Sequence, residues 1–209
     1  MEQFATILIL IHATLGGIAL LSGAIALVVK KGSPLHKKSG KVFFFAMLVS
    51  ALTSLVVAVL PNHENPFLFS IGLFSTYFLV SGIRALNLRK SNPRLLNDKI
   101  IAFAIIAVGL GMIGLPILLK GVINIVLLVF GLVSLSFGLR DLLLFKNIEK
   151  TKKSWLKLHL GKMTGGYISA VTAFLVVNNL LPGIWNWFVP GIAGTVYITY
   201  WMNKVNKAK

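Results

Sequence analysis

The residues of this chain best suited to chemistry are its four histidines, His12, His36, His63 and His159, since it has no cysteine and only five carboxylates. A neutral imidazole binds haem iron or a transition metal and titrates near neutrality. His12 stands inside the first apolar stretch, with Gly16 one turn further on. His36 and His159 recur in similar settings: a Leu-His pair is followed closely by Gly40-Lys41 in one case and by Gly161-Lys162 in the other. His63, in the Pro- and Asn-rich segment Pro61 to Pro66, reads as a solvated loop residue.

Three chemistries fit His36 and His159. As surface residues they would be solvated. Beside Lys37, Lys38, Lys41 and Lys162 they could help hold phosphate headgroups or another anion at a helix start. As a pair they could ligate a metal ion or haem b, with Gly40 and Gly161 leaving room for the ring and Lys41 and Lys162 meeting its propionates. His12, with Gly16 beside it, would then ligate a second centre, with Met112 or His63 opposite. Two such centres would carry an electron across a membrane, from a quinone or a redox protein. For His12 the competing reading is a neutral imidazole hydrogen-bonded to a serine or a backbone carbonyl between helices. No phosphate-binding Gly-x-x-x-x-Gly-Lys-Ser/Thr loop, His-Glu-x-x-His zinc motif or Gly-x-Ser-x-Gly elbow occurs, which excludes the usual hydrolase and nucleotide chemistries. Glu2, Glu64, Asp98, Asp141 and Glu149 all fall at the ends of apolar stretches or between them, so an ion-coupled carrier would lack its usual mid-membrane carboxylate.

The elements that must position these groups are membrane helices. The chain has 209 residues, 56% hydrophobic and 12% charged, and a mean hydropathy of +0.86, well beyond what a soluble core needs. Its formal charge of +16 does not indicate nucleic acid, because the basic residues cluster between apolar runs instead of covering a folded surface. Seven runs are long enough to cross the hydrocarbon layer, near Phe4 to Val29, Val42 to Leu60, Pro66 to Leu86, Ile100 to Leu119, Val122 to Leu144, Met163 to Leu181 and Ile184 to Met202. The first has no basic leader and is too long for a signal-peptide core, so it reads as an uncleaved span. Of the 21 basic residues, 20 fall in alternate connections and the tail, with Lys120 alone on the other side. Positive-inside topology then predicts an external N-terminus, a cytoplasmic C-terminus and contact between the lysine clusters and anionic lipids. Trp185, Trp187 and Trp201 suit interfacial anchoring. Ser33 and Pro34 predict a capped helix start that puts His36 in the first turn, and Ser154 suggests a matching start before His159.

The two histidine stretches, together with Gly16 and Gly23 matching Gly131 and Gly138, point to a parallel internal repeat. It would pair residues 4–90 with 122–203 around a linker helix at 99–119, all in a single membrane domain. Small residues mark packing faces: Gly161, Gly165, Ser169 and Ala173 recur every fourth residue, and His12 shares a stripe with Gly16, Ala19, Gly23 and Ala26.

His12, the Gly32 to Lys41 stretch with His-Lys-Lys-x-Gly-Lys, and His-x-Gly-x-Met at 159–163 together resemble a family of bacterial multi-pass membrane proteins known only as predicted membrane proteins of unknown function. The resemblance runs from about His12 to Trp201 and implies a membrane location without an activity. A looser similarity, to dihaem membrane cytochromes of the b561 type, rests on histidines near opposite faces of a small bundle. This chain departs from that pattern in its seven spans and in placing His36 and His159 at helix starts. The reading is thus an all-α, seven-span protein of the bacterial cytoplasmic membrane, carrying b-type haem or metal as part of a membrane oxidoreductase. The alternatives are a small-solute carrier, with Asn124 and Ser134 as polar groups at its centre, and a lipid-binding or structural protein.

Overall fold

The computed structural model describes residues 2–207, and Lys209, the last of the tail lysines, lies outside them. Seven α-helices follow one another: α1 Glu2–Val28, α2 Pro34–Val57, α3 Pro66–Arg84, α4 Leu96–Lys120, α5 Ile125–Phe145, α6 Ile148–Asn178 and α7 Trp185–Lys207. A 3₁₀ turn, Ala85–Arg89, extends α3, and there is no strand among the described residues. Six of the helices, α1 to α6, are long and apolar enough to cross a bilayer, whereas seven crossing helices were expected. The one left out, α7, is diluted by Asn186, Pro190, Thr195, Thr199 and Asn203, and by Trp and Tyr rings suited to the interface.

Local chemistry sets several helix ends. Ser33 caps α2, its hydroxyl accepting from the His36 N–H at 3.2 Å, and Pro34 opens the helix as expected. Asn124 caps α5 by accepting from the Leu127 N–H at 3.1 Å. Gly121 ends α4 at φ +63, where a side chain would be strained, and donates to the Ile117 carbonyl at 2.9 Å. One expectation is corrected: Ser154 caps nothing. It lies inside α6 and donates to the Lys150 carbonyl at 2.8 Å, while Asn147 does the capping, accepting from the Lys150 N–H at 2.9 Å. His159 is therefore well inside α6, and only His36 occupies a helix start.

The chain divides into two compact units, one of residues up to Leu79 together with those from Gly161 on, the other Val80–Leu160. In the first unit α1 packs along α2, and Ala19, Phe43, Ala46, Met47, Leu79 and Ala170 form the core, with Tyr167 against it. Gly23 makes room for that aromatic ring, since a Cβ there would come within 2.5 Å of Tyr167. The Tyr167 hydroxyl donates to the Leu20 carbonyl at 3.2 Å. In the second unit α4 packs along α5 across Gly109, Gly131 and Gly138, and Ala85, Leu88, Ala102 and Phe145 form the core. Much of the apolar surface stays uncovered: on α1, Leu21 is 72% exposed and Val28 86%. Such a surface suits hydrocarbon and not water.

Candidate functional site

The α1/α2 seam of the first unit carries two histidines in reciprocal arrangements. His12 of α1 reaches across to α2, its Nδ1 lying 2.9 Å from the Ser50 carbonyl and 3.0 Å from the Ser50 hydroxyl. Ser50, 1% exposed, returns a bond, its hydroxyl donating to the His12 carbonyl at 2.9 Å. Gly16 allows this exchange, because a Cβ there would stand 3.3 Å from the Ser50 hydroxyl. Its missing side chain thus seats Ser50. At the other end of the seam, His36 of α2 reaches back to α1, its Nδ1 lying 3.0 Å from the Ala26 carbonyl. In the second unit His159 repeats the pattern, with Nδ1 2.9 Å from the Gly82 carbonyl.

These contacts settle the tautomer. A carbonyl oxygen only accepts, so Nδ1 must carry the proton in each ring. The neutral imidazole then holds its lone pair on Nε2, the arrangement that a backbone carbonyl imposes on histidines that bind metals through Nε2. His12 thus makes the bonds expected of a neutral imidazole between helices, to the hydroxyl and the carbonyl of Ser50. The sequence placed His12 within its helix and His36 at a helix start but gave none of the protons, since Ser50, Ala26 and Gly82 are brought to the three imidazoles only by packing.

The neighbours expected around the histidines differ in setting. Gly40 has nothing within 4 Å of where a Cβ would stand, and Gly161 has only the end of Met202, at 3.6 Å. Lys41 is exposed. Lys162, expected beside propionates, is instead 6% exposed, donates to the Tyr77 hydroxyl and lies 4.1 Å from the centre of that ring. The aliphatic stem and the cation–π contact make burial tolerable for this ammonium. His63 is a loop residue as expected, with Nε2 3.4 Å from Glu2. Met112, offered as a partner for His12, belongs to the second unit and is buried there.

The sequence reading missed an ion pair in the second unit. Arg84 forms a two-pronged contact with Asp98, Nε to Oδ1 at 3.0 Å and Nη2 to Oδ2 at 2.8 Å, and Asp98 is buried. Two residues of opposite charge at the facing ends of consecutive helices were the available signal. Of the polar groups considered for a carrier, Asn124 is used as a cap, and the Ser134 hydroxyl is buried without a hydrogen-bond partner. Among the described residues no three His, Cys, Asp or Glu side chains converge as a metal site.

Residues 9–101 match the model of a family described as Predicted membrane protein (DUF2306). That stretch includes His12, the His36 segment, Ser50 and the start of α4. Among curated proteins and among solved structures none matches the chain, and no likeness to a b561-type cytochrome emerges. The chain is a multi-pass membrane protein by its helices and by this match.

Proposed function

We propose that this protein holds b-type haem in the bacterial cytoplasmic membrane and carries electrons across it, as the membrane part of an oxidoreductase. The observation that carries the reading is the shared state of His12 and His36: each ring donates Nδ1–H to a backbone carbonyl and is left with Nε2 as a lone-pair donor, while His159 makes the same Nδ1–H bond to the Gly82 carbonyl. Imidazole nitrogen is the right donor for haem iron. His36 and Ser50, which holds His12, are about 21 Å apart along α2 at about 1.5 Å of rise per residue, a separation that suits two centres, one in each leaflet. A bound haem would supply a one-electron couple. The chain's own part is to fix each ring's tautomer and angle, to leave space beside Gly40, and to offer exposed Lys41 to a carboxylate. Lys162, turned inward onto Tyr77, is not assigned that role.

A visible spectrum of the purified, dithionite-reduced protein tests this. The expected result is a sharp α-band and a Soret band whose intensity falls when His12, His36 or His159 is replaced by alanine. Ser50→Ala should keep the spectrum, because the Ser50 carbonyl still takes the Nδ1 proton. The same bonds also favour a second reading, in which the imidazoles act as clasps between helices, each worth about 0.6 to 2 kcal/mol in a membrane. A protein that stays colourless after haem is supplied, and whose histidine variants only lower stability, establishes that reading and overturns ours.

The orientation belongs to the same proposal. With the lysine clusters facing the cytoplasm, the N-terminus is external, the turn at His63 is outside and the segment at Lys90 is inside. A cysteine placed at His63 in intact cells should react with an impermeant maleimide, and one placed at Lys90 should not. Labelling at Lys90 alone would reverse the topology.

A further inference from the structure

The end of α1 that carries Lys30 and Lys31 meets α7 in a cluster that the electron-transfer reading does not use. Lys31 donates to the Ala26 carbonyl at 2.9 Å and to the Leu27 carbonyl, and the Tyr197 hydroxyl donates to Leu27 at 2.8 Å. The helix's terminal carbonyls are thus satisfied by side chains, with a cation at the negative end of its dipole. The Lys31 ammonium also lies 5.1 Å from the centre of the Trp201 ring, and the Lys204 ammonium lies 4.9 Å from the same ring. Two ammonium groups therefore share one indole.

No side-chain carboxylate among the described residues of this unit neutralises them. Its side-chain carboxylates are Glu2 and Glu64, and Glu2 starts α1 at the opposite end. Neither Lys31 nor Lys204 pairs with a carboxylate among the described residues. Lys31 spends two of its three donors on the helix end, while Lys204 is exposed with no hydrogen bond among the described residues. Burial pushes the Lys31 ammonium below its ordinary value, a cost that a neighbouring anion would offset. Leu21, Ile25 and Val28 form an exposed strip along the same helix.

We propose that Lys31, Trp201 and Lys204 form a binding site for the phosphodiester of an anionic phospholipid. The phosphate oxygens accept from the two ammonium groups, the indole sits at headgroup level, and an acyl chain lies along Leu21, Ile25 and Val28. A free phosphate shares the first of these contacts but not the last, and it is the aliphatic strip that selects the lipid. Lysine near an anionic bilayer surface contributes enough to change affinity about fivefold.

The full-length protein in neutral detergent is titrated with phosphatidylglycerol and with phosphatidylcholine, with bound lipid counted by native mass spectrometry. Phosphatidylglycerol should be retained in preference, and Lys204→Gln should weaken it about fivefold. Lys31→Gln with Lys204→Gln should weaken it further. Because Lys31 also caps α1, the single Lys204→Gln variant carries the decision. A control with the same loss of charge elsewhere, Lys90→Gln with Lys146→Gln, should bind as the parent does. Equal binding by Lys204→Gln and the control pair overturns the site. Displacement of the lipid by inorganic phosphate at millimolar concentration overturns the assignment to lipid and leaves an anion site.

Discussion

Replacing Arg84 with glutamine should lower the unfolding free energy by about 3 to 5 kcal/mol, among the largest effects expected of any single substitution here. The reason is the asymmetry of a buried pair. Asp98 is 7% exposed and its two oxygens face the guanidinium at 3.0 and 2.8 Å. Without Arg84 that carboxylate must stay charged with no partner or take up a proton, and either course is costly in a poorly solvated place. Removing both charges together is different. Arg84→Met with Asp98→Leu trades the pair for apolar contacts beside Ala85, Leu88 and Ala102, and should come within about 1 kcal/mol of the parent or exceed it. Unfolding in mixed micelles by added dodecyl sulfate reads both variants. An Arg84→Gln protein no less stable than one altered at exposed Arg140 would show that the pair is solvated and contributes little.

The second large effect is expected at the α4/α5 crossing. Gly109 and Gly131 face each other symmetrically: a Cβ on either would stand 2.8 Å from the other's carbonyl oxygen. That neighbour is backbone, so a methyl group can be admitted only by moving a helix. A further tight contact lies at Gly138, where a Cβ would come 2.9 Å from the Ala102 carbonyl, so the two helices are close along much of their length. Gly131→Ala should therefore cost about 1 to 3 kcal/mol, although alanine is the better helix former. Gly109→Ala should cost a similar amount. The double variant should cost clearly less than the sum, because the shift that admits one methyl group opens room for the other. Strict additivity in the same micelle assay would mean that the helices do not move as a unit. A rise in stability would mean that they are not in contact.

These two sites differ in how far they could be read beforehand. Gly131 and Gly138 read in the sequence as the repeat partners of Gly16 and Gly23, whereas the structure uses them with Gly109 for close contact, from which a helix pair in lipid mainly gains. Which glycine faces which was not visible. Arg84 and Asp98 were visible only as charges at span ends. That Arg84 pairs with Asp98 could not be told from their positions alone. The start of α6 was misplaced because Lys150, Lys152, Lys153 and Lys157 read as a charged connection, although lysine is a good helix former and Asn147 was there to cap it.

By itself the sequence determined the membrane class, the helices and the start of α2, and also the uneven spread of lysines on which the topology proposal rests. Each of these depends on composition or on residues a few positions apart: an apolar run must hydrogen-bond its own backbone in lipid, and Ser33 caps a helix that begins at its neighbour. Only the tertiary structure decided which nitrogen of His12, His36 and His159 carries the proton, that Lys162 turns inward onto Tyr77, and that Lys31 and Lys204 share Trp201. The physical reason is the same in each case. A histidine tautomer or a lysine's setting is fixed by the acceptor or ring that packing brings within about 3 to 6 Å, and those partners come from other helices far along the chain.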